Sequence, residues 1–247
     1  MLAQTQLSDG AARVVAQMPQ LIWRANQMAH YRSATRSSGF PALDAELPEH
    51  GWPRSALIEL LLQQPGIGEI QLLKPALVSL SRTRRIVLIQ PPHLPDVAAC
   101  RKWGIAPRNL LWLQAKGSAD ALWATEQILR NGSCGAVLLW QSHTRTDALR
   151  RLNLAAQSSD TMFWLLRPAA NSQDPSPSPL RLLLQPALGG IRVDLLKRRG
   201  PQADHSIYLP LREMPAAPHQ DNVKHHAPLD RRLPATHSAG SLAPVVV

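Results

Sequence analysis

The chain has 247 residues, of which 45% are apolar and 18% charged. That balance supports a packed core in one domain and excludes wholesale disorder. No apolar, uncharged run of roughly 18 residues occurs, which argues against a membrane span. The opening MLAQTQLSDGAARVV lacks a basic segment followed by an apolar one, so a secretion signal is not expected. The expected location is the cytoplasm. Cys100 and Cys134 make neither a disulfide framework nor a metal set, and reduced, buried thiols are expected.

Net charge is +10, and its distribution is informative. Residues 1–50 hold four arginines against four acids, and residues 213–247 hold three basic residues against three acidic ones. The excess therefore falls in 51–212, with 20 basic residues against 10 acidic. Such a core attracts polyanions, nucleic acid first among them, or else carries a solvated basic surface.

In chain order, residues 11–31 show helical spacing in two pieces split at Pro19, and a polar hinge, RSATRSSG, follows. FPALDAELPEHGWPRSALIEL ends in an apolar strand at about 55–62. The glycine loop QQPGIGE comes next, then the helical pattern IQLLKPALVSLSR with Pro75 inside it. IVLIQ (86–90) reads as a buried strand, PDVAACRKWG as a short helix ending at Gly104, and LLWLQ (110–114) as a third strand. ADALWATEQILRNG (119–132) is an amphipathic helix, GAVLLWQ (135–141) a strand, RTDALRRLNLAAQSS (145–159) a helix and TMFWLLRP (161–168) a fifth strand. LRLLLQPA, GIRVDLLKR and SIYLPL are three more strands without helices between them.

Alternating strands and helices predict a mostly parallel sheet flanked by helices, extended by antiparallel C-terminal strands. The 168–179 stretch, PAANSQDPSPSP, is too proline-rich and polar to be expected to pack. Residues 213–247, with five prolines and four histidines, read as a disordered tail. The organisation is thus a helical segment and hinge over 1–40, an α/β core over 41–212, and a tail.

Strand, glycine loop and helix is the layout of a phosphate-binding loop, which requires G-x-x-x-x-G-K-[ST]. Gly66 and Gly68 are present, and Gly68 fits the second glycine. The first glycine falls on Gln63, the lysine on Glu69 and the hydroxyl residue on Ile70. A carboxylate in place of the ammonium reverses an interaction worth roughly 4 kcal/mol at ~4 Å and an effective dielectric near 20. Triphosphate binding in the usual manner is expected to fail. The strand GAVLLWQS ends in Trp140 and Gln141 where a magnesium aspartate belongs. Gln90, Pro91, Pro92 and His93 stand where a water-activating base belongs, and His93 alone is a poor substitute. No cofactor, metal or catalytic set is expected; His219, His225 and His226 would bind metal weakly at best.

From LDAELPEHGWPRSALIELLLQQPGIGE through HLPDVAACRKWGIAPRNLLWLQAKGSADALWATEQILRNGSCGAVLLW, the chain resembles the RecA core with its catalytic residues replaced. WRANQ, GFPALDAELPEHGWPRSALIELL, PGIGE, and VDLLKRRG followed by YLPL resemble more closely the ImuA family of translesion DNA synthesis-associated proteins. That family is RecA-like and related to the SulA cell-division inhibitors. The resemblance covers about 20–212. It implies an accessory protein of an SOS-induced mutagenesis cassette. Implied partners are an ImuB-type Y-family-like protein, an error-prone DnaE-type polymerase, and RecA or DNA.

A RecA topology implies DNA-facing loops after the fourth and fifth strands. Arg145, Arg150 and Arg151 cluster after the fourth, and Arg167 ends the fifth. They suit phosphate contact without sequence preference, or a solvated helix face. Lys197, Arg198 and Arg199 suit DNA, an acidic partner, or plain surface. Arg82, Arg84 and Arg85 are sufficiently explained by the C-terminal end of a helix. Trp112, Trp140 and Trp164 lie within predicted strands and are expected in the core. Trp23 and Trp52 lie outside the sheet pattern and are candidate exposed anchors. By analogy with RecA, Leu21, Ile22 and Trp23 on the N-terminal helix would dock on a partner or a second copy, or fold back on their own core.

The first functional expectation is a non-enzymatic translesion accessory protein. The second is a SulA-like inhibitor that binds the tubulin-like division GTPase, although such proteins are shorter and lack the WR segment. A true ATPase with unusual residues is the third.

Overall fold

A computed structural model describes residues 35–201 and 205–211. The expected docking residues Leu21, Ile22 and Trp23, and the expected tail 213–247, lie outside the described residues. Among those described, no helix is long and apolar enough to cross a membrane.

A two-stranded ribbon pairs β1 (Thr35–Arg36) with β2 (Trp52–Pro53), with α1 (Pro41–Glu46) between them. Part of the expected hinge is therefore structured. The main sheet contains β3 (Leu57–Leu62), β4 (Arg85–Ile89), β5 (Leu110–Leu113), β6 (Cys134–Trp140), β7 (Met162–Pro168), β8 (Leu180–Ala187), β9 (Gly190–Lys197) and β10 (Ile207–Pro210). Its spatial order is β10-β9-β8-β3-β7-β6-β4-β5. The six strands from β8 to β5 run parallel, and β9 and β10 continue the sheet antiparallel. This is the expected α/β architecture, a mostly parallel sheet flanked by helices and extended by antiparallel C-terminal strands.

The helices are α2 (Glu69–Ser81), α3 (Val97–Lys102), α4 (Ser118–Asn131) and α5 (Thr146–Gln157). Because parallel strands are covered on both faces, their sequences are nearly unbroken apolar runs. All six residues of β3 are buried. Alternation then divides the side chains between two cores. Ile58, Leu60, Ile86, Leu88, Leu138 and Trp164 pack with α2, and Leu57, Val87, Ile89, Leu139, Phe163 and Leu165 pack with α4 and α5.

Pro75 lies in the interior of α2, where a missing amide and a ring clash cost about 3 kcal/mol. The helix continues through it because Leu72, Leu73, Ala76, Leu77 and Leu80 are all buried. Pro75 in turn packs on Gly39, where a Cβ would stand 2.5 Å from the proline Cβ.

The structure corrects three expectations about packing. Trp52 is no exposed anchor: it is fully buried, edge-on to Trp164 with centroids 6.1 Å apart, because the β1–β2 ribbon folds it onto the sheet. Trp112 is 47% exposed, since β5 is the last strand of the sheet and has a neighbour on one side only. The 168–179 stretch does pack, forming a short 3₁₀ turn at Ala169–Gln173, with Ser178 fully buried. Trp164 is buried as expected, Trp140 is half-buried, and Cys100 and Cys134 are buried free thiols.

At the amino ends of the parallel strands, Asp160 takes hydrogen bonds from Arg54 and, at 2.8 Å, from Arg84. Arg84 also donates to the Gly132 carbonyl at 2.5 Å, so it bridges α4 to Asp160 as well as closing α2. The Arg84 hydrogen bond, joined by the charges of Arg84 and Arg54, holds the Asp160 carboxyl below its ordinary range. Asp160 is 56% exposed, so solvent limits each pair to on the order of 1 kcal/mol. The lowered value makes this a contribution present above the unfolded-chain pKa near about 4, and lost as pH falls through the lowered folded value. Asp160→Asn is therefore expected to be less stable than the natural chain in denaturant melts at pH 7. The gap should close progressively as pH falls below about 4.

Candidate functional site

The carboxyl ends of β3, β4, β6 and β7 converge on a cavity of about 470 Å³. In open α/β sheets this edge is the usual place for a ligand. Here Leu62, Trp140 and Leu166 give it apolar walls, and its polar groups are the amides of Gln63, Gln64, Gln90 and Gln141, the hydroxyls of Ser118 and Ser142, the His143 imidazole and the Arg167 guanidinium. No carboxylate lines it. Gln90 sits at φ 54° and donates to the Ala115 carbonyl at 2.9 Å, and Gln141 donates to Ser118 Oγ and, at 3.3 Å, to the His143 carbonyl. The glutamines that replace the acids of a working site thus tie neighbouring loops together.

The glycine loop lies between β3 and α2, as the sequence predicts. Gly66 and Gly68 have φ of 84° and 118°, conformations that aim successive backbone N–H groups into a common hollow. In a phosphate loop that hollow holds an anion. Here the anion belongs to the chain. Glu69, the first residue of α2, folds its carboxylate back into the loop. Its Oε1 accepts from Gly66 N–H at 2.9 Å, and its Oε2 accepts from Gly66 and Gly68 N–H at 3.1 and 3.2 Å. Glu69 is only 3% exposed. Gly68 is confined from the other side, since a Cβ there would lie 2.3 Å from Leu211 Cδ1. The sequence showed a charge of the wrong sign; the structure shows that this charge takes the place a phosphate would need.

Beside the loop lies an apolar cavity of about 280 Å³ between α2, α3 and the 91–96 segment. Ile70, Leu77, Leu88, Cys100, Trp103 and Leu110 line it. Burial, with the charge of Asp96, pushes the Cys100 thiol upward, so it stays protonated. The sequence gave no sign of this cavity, because its walls come from four separate elements.

Arg167 does not reach out toward DNA. Its side chain is 1% exposed, donates to Asp174 at 3.1 Å, and lies 3.8 Å from Glu59. Glu59, in the middle of β3, is fully buried and was not singled out by the sequence reading. It accepts from Arg181 Nε at 2.8 Å and from Ser176 Oγ at 2.5 Å. Arg181 also donates to the carbonyls of Asn171 and Ser172, which pins the 168–179 segment to the sheet. A hydrogen bond from Asn171, supported by Arg167, keeps the Asp174 carboxyl below its ordinary range.

The remaining candidate cations separate into two groups. Arg145 is exposed at the start of α5 and shares a cavity with Arg167. Arg150 and Arg151 are exposed but lie 3.4 Å from Asp147 and 3.6 Å from Glu126, which offsets part of their charge. Lys197, Arg198 and Arg199 are at the opposite edge, because Lys197 on the antiparallel β9 pairs with Arg181 near the start of β8. Lys197 donates to the Ser176 carbonyl at 2.9 Å. Arg198 is a correction: Glu46 holds it at 2.8 Å with 14% of its side chain exposed, so it is a structural tie and not a free cation. Arg199 is exposed.

Two outcomes follow from this geometry. Glu59→Gln leaves two buried guanidiniums short of one negative charge. It should lower stability by about 3–5 kcal/mol in chemical denaturation and speed amide exchange across 168–179. Glu69→Lys with Ile70→Thr should restore the loop's lysine and hydroxyl without producing ATP hydrolysis in a phosphate-release assay, since Gln63 still stands at the first glycine and the carboxyl-end cavity has no acid among the described residues.

No family model matches the chain, and no curated protein matches it. Among solved structures, SulA from Pseudomonas aeruginosa is similar to part of it, at 30% identity and a TM-score of 0.39. That match covers 45% of this chain and 96% of the SulA chain.

Proposed function

We propose that this chain is a non-catalytic accessory protein of SOS-induced, error-prone translesion DNA synthesis. It works with an ImuB-type Y-family-like protein and an error-prone DnaE-type polymerase, and it contacts RecA or DNA. The observation that carries the non-catalytic part is the Glu69 carboxylate seated on Gly66 and Gly68 N–H. A nucleotide phosphate would have to displace a covalently tethered anion and then meet its charge at close range. The translesion part is supported by the resemblance of WRANQ, GFPALDAELPEHGWPRSALIELL, PGIGE and VDLLKRRG to the ImuA family. A scaffold that has given up nucleotide chemistry acts through its surfaces.

The test is affinity capture of the tagged full-length chain from DNA-damaged cells, read by mass spectrometry against an untagged control. Recovery of a Y-family-like protein, a DnaE-type polymerase or RecA is expected. Recovery of the tubulin-like division GTPase in their place would overturn the proposal in favour of a SulA-like division inhibitor. ATP hydrolysis by the purified natural chain, abolished by Glu69→Ala, would overturn the non-catalytic reading.

A further inference from the structure

Arginines, some sharing one carboxylate and some unpaired, gather at the amino edge of the sheet, opposite the crevice where an α/β fold usually binds its ligand. Arg36 in β1, Arg54 before β3, Arg84 before β4 and Arg199 after β9 are far apart in sequence and adjacent in space. Arg54 and Arg84 share the single carboxylate of Asp160. Arg54 and Arg199 line one small cavity with Glu49. Arg82 and Arg85 flank Arg84 and are both exposed. Three carboxylates, Asp160, Glu49 and the Asp44 that accepts from Ser37, thus stand against six guanidiniums. Arg82, Arg85 and Arg199 make no ion pair or side-chain hydrogen bond among the described residues.

Helix C-termini also reach this edge and would account for some positive charge. Arg82 is the C-cap of α2 and Arg84 meets the end of α4 at the Gly132 carbonyl, whereas Arg85 belongs to β4, so four of the six, Arg36, Arg54, Arg85 and Arg199, remain to be explained. The crowding has a cost visible at Arg36. Burial first, and then the charge of Arg54, push its pKa down, with Asp160 opposing. A cluster in this condition gains stability from an added anion.

We propose that this amino edge is a binding surface for the phosphodiester backbone of duplex nucleic acid. Arginine suits phosphate because its planar fork donates to two oxygens at once. Ser79, which accepts from Arg36, and Thr83, between Arg82 and Arg84 in the chain, add hydroxyls to the arginines, while Thr35 and Ser37 donate internally to the Glu49 carbonyl and the Asp44 carboxylate; arginine and hydroxyl contacts of this kind position a protein on a duplex without reading sequence. Binding of single strands relies on aromatic side chains to stack bases. The exposed aromatic residues among those described, Trp112, Trp123 and Tyr208, lie on β5, α4 and β10, away from this cluster. The surface therefore fits a backbone whose bases are already stacked on one another. The inference deepens the DNA contact of the proposed function and moves it from the edge that RecA analogy implies.

The experiment is fluorescence anisotropy of the full-length chain on a labelled random-sequence duplex, across about 50 to 200 mM salt. Three proteins are compared: the natural chain, Arg82→Gln/Arg85→Gln/Arg199→Gln, and Arg145→Gln/Arg150→Gln/Arg151→Gln. Far-UV circular dichroism checks that each is folded, and the substituted side chains carry no internal contact that folding needs beyond those given above. The amino-edge variant should bind at least about tenfold more weakly at low salt, with the slope of log affinity against log salt reduced by about 3. The carboxyl-edge variant should match the natural chain, and the duplex should bind more tightly than the same single strand. Loss confined to the carboxyl-edge variant overturns the proposal, as does unchanged binding by both. Displacement by polyglutamate at charge concentrations equal to the duplex also overturns it, identifying an acidic protein segment as the occupant. Failure here with successful capture of a polymerase partner would reject this surface alone and leave the accessory role standing.

Discussion

The fold is organised around a carboxylate that never meets water. Glu59 is in the middle of the central strand, fully buried, with β7 on one side and β8 on the other. An isolated carboxylate there would be severely destabilising. Arg181 on β8 is its direct register partner, and Arg167 on β7 approaches from the other side. A one-residue slip of β8 would move Arg181 to the opposite face and leave the charge unmatched. The ion network adds little net stability over an apolar core, but it penalises every wrong register by removing a partner from a buried charge. It also brings the otherwise unfavourable PAANSQDPSPSP segment down onto the sheet through Ser176, Asn171 and Ser172.

The glycine loop shows the same economy of charge. A loop whose backbone amides converge needs an acceptor whether or not a nucleotide binds. Glu69 supplies one from within the chain, so the converging amides of Gly66 and Gly68 hold an internal carboxylate. In the neighbouring cavity the side chains of Gln90 and Gln141 cross-link loops.

Charge is distributed by the same topology. At the carboxyl edge Arg167 is paired with Asp174 and Glu59, Arg150 with Asp147 and Arg151 with Glu126, while Arg145 has no ion pair among the described residues. The amino edge gathers arginines from β1, the approach to β3, the turn into β4 and the end of β9, with few acids among them. A net charge of +10 says only that a polyanion is attracted. The pairing of individual residues says from which side.

The sequence by itself determined the α/β class, because unbroken runs such as IVLI and AVLLW can satisfy their apolar character only when covered on both faces. It also determined that the glycine loop carries a carboxylate, Glu69, where a phosphate loop carries a lysine, because that is a local fact. Periodicity and composition report on a residue and its near neighbours, and these conclusions needed nothing more. Trp52 was buried by a ribbon that closes over it, Trp112 was exposed by its place at the sheet's edge, and Arg167 was withdrawn from solvent by Glu59, more than a hundred positions away. Only the tertiary structure decided these, and the grouping of Arg36, Arg54, Arg84 and Arg199. The reason is that crossovers in a parallel sheet set residues distant along the chain side by side, and pairing across that distance governs which charges are spent and which are free.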